Sequence, residues 1–95
     1  MTDTIELPKH ADPSSILGGA WHVIVRDDNH NTFDHVAATL ARLLPSMTLD
    51  RGYSYAKKIH NSGAAVVWSG HLELAELYWD QLVGCGLTMA PLERG

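Results

Sequence analysis

Residues 23–36 read VIVRDDNHNTFDHV, and within them six polar side chains stand in a row, Arg26 to Asn31. A turn that only reverses the chain needs one or two such residues. Asp27, Asp28, Asn29 and Asn31 bring two carboxylates and two amide oxygens to one short connection. Oxygen acceptors converging there would suit an ammonium group, whose three N–H donors seek three or four partners. The same residues also fit a plainer role, since Asp and Asn in a turn often satisfy backbone groups and cap the next helix. A metal site is a further alternative, because Asp27, Asp28, His30, His35 and His60 offer oxygen and imidazole ligands. Their spacing matches neither a calcium-binding D-x-D-x-D-G loop nor H-E-x-x-H. Cys85 stands alone between two glycines, with no base that the sequence can place beside it, so no nucleophilic centre is legible.

The elements on either side must position these groups. Trp21 to Val25 alternates as a first strand, with His22 expected on its exposed side. A first helix follows the polar turn, capped by Asn31 or Thr32, with Phe33, Val36, Ala37, Leu40, Leu43 and Leu44 at helical spacing. Pro45 ends it. Thr48 caps a second helix whose inward face is expected to carry Leu49, Tyr53, Ala56 and Ile59, and Asn61-Ser62-Gly63 stops it. If the two helices pack antiparallel, His60 comes near the polar turn, and Phe33, Val36, Ala56 and Ile59 line an apolar pocket beside it. A cation site next to an apolar pocket describes a receptor for the N-terminal residue of a peptide.

The run AAVVW, residues 64–68, is too short for a helix and reads as a buried strand, turned by Ser69-Gly70. His71 to Val83 is a third helix capped by His71, with Leu72, Ala75, Leu77, Tyr78 and Leu82 inward. Trp68 and Trp79 are expected in the core or an interface. Leu87 to Glu93 is a last strand, and Pro91 puts it at a sheet edge. The predicted class is α/β, order β-α-α-β-α-β, with helices packed on one face of a small sheet.

Composition narrows the function classes. Ninety-five residues make one domain, and 45% hydrophobic content fills one small core. A net charge of −4, with no basic cluster beyond Lys57-Lys58, argues against nucleic acid. No apolar run is long enough for a membrane span, and residues 1–20 lack a signal-peptide pattern. Those twenty residues, with two prolines and a closing Gly-Gly, read as a flexible arm before the domain at 21–95. The single cysteine fits a reducing compartment, so the expected location is cytoplasmic.

VIVRDDNHNTFDHV, followed by IHNSG and by AAVVWSGHLELAELYWDQLVGCGLTMAPLE, resembles the ClpS family of adaptors of the Clp AAA+ protease. The block LLPSMTLDRGYSYAKKIHNSGAAVV is most similar to the cyanobacterial and chloroplast branch. The resemblance covers Trp21 to Glu93. It implies three helices against a three-stranded antiparallel sheet, similar to a ribosomal stalk C-terminal domain. It implies an adaptor rather than an enzyme, with no cofactor. Such an adaptor binds proteins whose N-terminal residue is Leu, Phe, Tyr or Trp and delivers them to a Clp unfoldase. In the family pattern N-D-D-x-T-x-M, Asp27 takes the Asn place, Asp28 and Asn29 the two Asp places, Asn31 the Thr place and Phe33 that of the gating Met. Val36 and His60 are kept, and Ala56 stands where the family has a pocket Met. Met89 is expected in the pocket with Phe33, Val36, Ala56 and Ile59. Glu73 keeps a residue used against the unfoldase N-domain, and Tyr78 replaces a Lys used there, which points toward a ClpC-type unfoldase, with the ClpA type as the alternative.

Overall fold

The computed structural model describes residues 20–95. The expected arm, residues 1–20, lies outside the described residues except for Ala20. The elements run β1 (Trp21–Arg26), α1 (Phe33–Leu43), α2 (Leu49–Ser62), β2 (Ala64–Gly70), α3 (Leu72–Gly84) and β3 (Glu93–Arg94). The sheet has the order β2-β1-β3 and both pairings are antiparallel, so β1 is central.

Local chemistry sets the helix ends. The hydroxyls of Thr32 and Thr48 accept from the backbone N–H of His35 and Arg51, three residues on, and so cap α1 and α2. Leu44 ends α1, because Pro45 follows it. Gly63 closes α2 in the left-handed region at φ 89°, which a glycine adopts without strain. His71 occupies the cap position of α3, but its side chain makes no capping bond.

The core joins Val23, Val25 and Val67 of the sheet to Val36, Leu40 and Ile59 of α1 and α2, and to Ala75 and Leu82 of α3. The α1–α2 seam runs through Gly52, Ala56 and Ile59 rather than Leu49 and Tyr53, which are exposed. The cause is Gly52. A Cβ there would stand 2.5 Å from the Ala37 carbonyl oxygen, so only hydrogen lets the backbones meet this closely. Tyr53 is left on the shoulder of the seam, where its hydroxyl donates to Asp34 at 2.5 Å.

Other expectations change as well. Leu72 and Leu77 of α3 are exposed, and Ala75 and Leu82 form its inward stripe. Ser69 and Gly70 continue β2 instead of turning it; they pair with His22 and Trp21, and the His22 ring bonds the Ser69 hydroxyl at 2.6 Å. His22 is half-buried as a result. A bulge between Val23 and Ile24 breaks the alternation of β1, so that Val23, Ile24 and Val25 are all buried. The last strand is shorter than expected. From Thr88 the chain runs beside β1, with a bridge at Met89 and bonds from Arg26 N to Thr88 O and from Ala90 N to Ile24 O. Pro91 has no N–H to continue that ladder, and regular pairing resumes only at Glu93. Trp79 donates its indole N–H to the Ala90 carbonyl at 2.8 Å and ties α3 to this segment. No described helix is long and apolar enough to cross a membrane.

Candidate functional site

The loop from β1 to α1 is organised around the Asp28 carboxylate. Its Oδ1 accepts from the backbone N–H of His30 at 3.0 Å and of Asn31 at 2.7 Å. Its Oδ2 accepts from Asn31 Nδ2 at 2.6 Å and from the Thr88 hydroxyl at 2.8 Å. A carboxylate has about four acceptor positions, so this one is occupied within the protein. Burial pushes its pKa up, but the bonds from Asn31, Thr88 and His30 outweigh that and hold it well below the ordinary carboxylate range.

Asn31 therefore does not cap α1. Its amide nitrogen bonds Asp28 and the Gly86 carbonyl, the latter at 2.9 Å, and Thr32 does the capping. Asp27 N donates to the Gly63 carbonyl at 2.9 Å, which fastens the loop to the turn that closes α2. That tether brings His60 Nδ1 to 3.8 Å from Asp27 Oδ1. The Asp27 side chain is 40% exposed against 11% for Asp28, so Asp27 is the open carboxylate of the pair.

These groups surround a cavity of about 370 Å³. Asp27, Asp28, Asn29, Asn31 and His60 line its polar side. Buried Val36, Ala56, Ile59 and Leu87 form its apolar floor. Phe33 is exposed at its mouth, edge to face with the His60 ring. Arg26 also belongs to the lining, so two acidic residues and one arginine leave it with a net negative charge.

Met89 is not part of the lining; it packs against the core where it bridges Val25. Thr88 and Leu87, one and two residues earlier, take the wall instead. Neither was legible as a site residue, since nothing near residue 88 in the sequence refers to residue 28. On α3, Glu73 is exposed in the first turn. Tyr78 is half-buried against Trp68, their ring centroids 4.9 Å apart. His35 is drawn away from the loop by a 2.8 Å bond between its Nε2 and the Cys85 carbonyl. Among the described residues, no three His, Cys, Asp or Glu side chains are grouped so as to hold a metal ion.

The family model for the ATP-dependent Clp protease adaptor protein ClpS matches residues 18–90. The chain belongs to the ClpS family. The ClpS adapter of Thermosynechococcus vestitus is 52% identical over 73 residues, which cover 77% of this chain and 78% of that one. The ClpS adapter of Synechocystis sp. is 50% identical over 74 residues, 78% of this chain and 76% of that one. The chloroplastic adapter CLPS1 of Arabidopsis thaliana is 34% identical over 78% of this chain and 46% of its own length. In fold, the chain is similar to Agrobacterium tumefaciens ClpS2, whose structure was solved bound to L-phenylalaninamide. The TM-score is 0.75 at 20% identity, over 82% of this chain and 99% of that one. ClpS proteins are non-catalytic adaptors of the Clp protease.

Proposed function

We propose that this ClpS-family chain captures proteins by a free N-terminal residue with a bulky apolar side chain and delivers them to a Clp AAA+ unfoldase. The observation that carries the reading is the pairing of an apolar floor with a negatively charged rim in one cavity. Asp27, Asn29, Asn31 and His60 are the acceptors available to the α-ammonium. Asp28 holds the loop that presents them. The side chain of residue one enters between Phe33 and the floor of Val36, Ala56, Ile59 and Leu87.

Magnitudes explain why both parts are needed. A hydrogen bond to a charged group contributes about 1.5–3 kcal/mol. Burying a Leu or Phe side chain contributes about 1.5–3 kcal/mol. Association costs on the order of 4–15 kcal/mol in lost freedom. An internal Leu offers no ammonium and an N-terminal Ala offers too little apolar surface, so neither is retained.

The exposed face of α3 around Glu73 is the proposed surface for the unfoldase N-domain, of ClpC or ClpA type. Calorimetry with peptides that differ only in residue one, each free and N-acetylated, tests the proposal. Binding of free Leu, Phe, Tyr or Trp peptides, lost on acetylation, supports it. Equal affinity for free and acetylated forms overturns the ammonium site. Binding of none, with retained unfoldase docking, favours a regulator of the same fold whose mouth Phe33 and His60 keep shut.

A further inference from the structure

We propose that Thr88 is a positioning residue for the polar rim, its hydroxyl pinning the 27–31 loop through Asp28 to the segment that follows α3. In its binding arm the proposal rests on the N-terminal-residue reading above. Three of the four bonds to the Asp28 carboxylate come from His30 and Asn31, two and three residues away. They knot the loop internally and would survive if the loop swung as a unit. The fourth comes from Thr88, sixty residues along the chain.

The same residue grips the chain a second time. Its carbonyl accepts from Arg26 N at 2.8 Å, at the last residue of β1. Its neighbour Gly86 accepts from Asn31 Nδ2 at 2.9 Å. The segment 86–88 therefore holds the loop at its start, middle and end. Of these three ties, the Thr88 hydroxyl is the one that a neutral, shape-preserving substitution removes without changing a residue of the loop. Without it the acceptors of Asp27, Asn29 and Asn31 are less well fixed before a ligand arrives, and ordering them then counts against binding.

The test uses the full chain with Thr88→Val, which keeps the shape and deletes the donor, and Thr88→Ser, which keeps the donor. Thr88→Ala replaces the Val variant if that does not fold. Two quantities are read: amide exchange of His30 and Asn31 in the free protein, and affinity for a Leu-initiated peptide. In the Val variant, exchange at both amides is expected to speed up about tenfold and affinity to fall about three- to tenfold, as for one lost hydrogen bond acting at a distance. The Ser variant restores both. Unchanged exchange and affinity in the Val variant overturn the proposal. So does weaker affinity with unchanged exchange, which makes the hydroxyl a direct ligand contact. A loss that Ser does not restore assigns the effect to the methyl group and overturns it too. If the unsubstituted chain binds no peptide, the N-terminal-residue reading fails by itself, and faster or unchanged exchange in the Val variant still decides the role of Thr88.

Discussion

The rings of Phe33 and His60 meet edge to face at the mouth of the cavity, centroids 5.4 Å apart and planes at 68°. The first residue of α1 thus touches the last turn of α2, and the entrance narrows between them. Such a contact contributes about 0.5–1.5 kcal/mol between two phenyl rings, less where one is an exposed imidazole.

Phe33→Ala removes this narrowing. The narrow mouth should exclude peptides that begin with β-branched Ile or Val, and the variant is expected to accept them within about tenfold of Leu, a difference on the order of 1.4 kcal/mol. A peptide panel measured by fluorescence anisotropy checks it. Continued exclusion of Ile and Val would place the selection deeper in the cavity.

The two neighbouring carboxylates should separate on substitution. Asp27→Ala leaves a fold with an unchanged melting temperature and a weakened peptide affinity, because its side chain is the exposed one of the pair. Asp28→Ala leaves His30 N, Asn31 N and the Thr88 hydroxyl without their acceptor. It should cost about 1–3 kcal/mol of stability as well as affinity. Thermal melts of the two variants, run beside calorimetry, check the contrast.

Stability should also fall with pH through Asp28. Its folded pKa lies below the unfolded value of about 4. The contribution is therefore complete above the unfolded pKa and is lost as pH falls toward the folded one. Urea midpoints at pH 7 and pH 3 should differ, and Asp28→Asn should reduce the difference. An Asn variant with the same pH slope would show that other carboxylates carry the effect.

Gly52→Ala places a Cβ against the Ala37 carbonyl and must push α1 and α2 apart. Overpacking of this kind costs about 1–3 kcal/mol, and each kcal/mol lowers the melting temperature of a domain this size by about 4–8 °C. A calorimetric melt checks it. The cavity lies between the same two helices, so peptide affinity should fall with the melting temperature.

The sequence disclosed what depends on neighbours along the chain. Thr48 and Gly63 marked the ends of α2 because capping acts within three residues. Val36, Ala56, Ile59 and His60 met at one cavity because two antiparallel helices joined by a short link have little other choice. What stayed hidden depends on distant partners. Leu49 and Tyr53 looked inward by spacing, but the contact at Gly52 rotated the seam away from them. Asp28 looked like a ligand acceptor, and only the folded chain shows Thr88 occupying one of its lone pairs. Met89 and Leu87 could not be told apart, because the turn at Cys85 and Gly86 sets which of them faces the cavity.

The interruption at Pro91 has a consequence for how the molecule behaves in a crowd. β3 forms one flank of the sheet, yet it is two residues long, and Pro91, two residues before it, has no N–H. A stray extended chain arriving on that side finds no continuous row of donors and acceptors to copy. The flank is thereby guarded against edge-to-edge aggregation, and the charged pair Glu93 and Arg94 that makes up β3 adds to that guard.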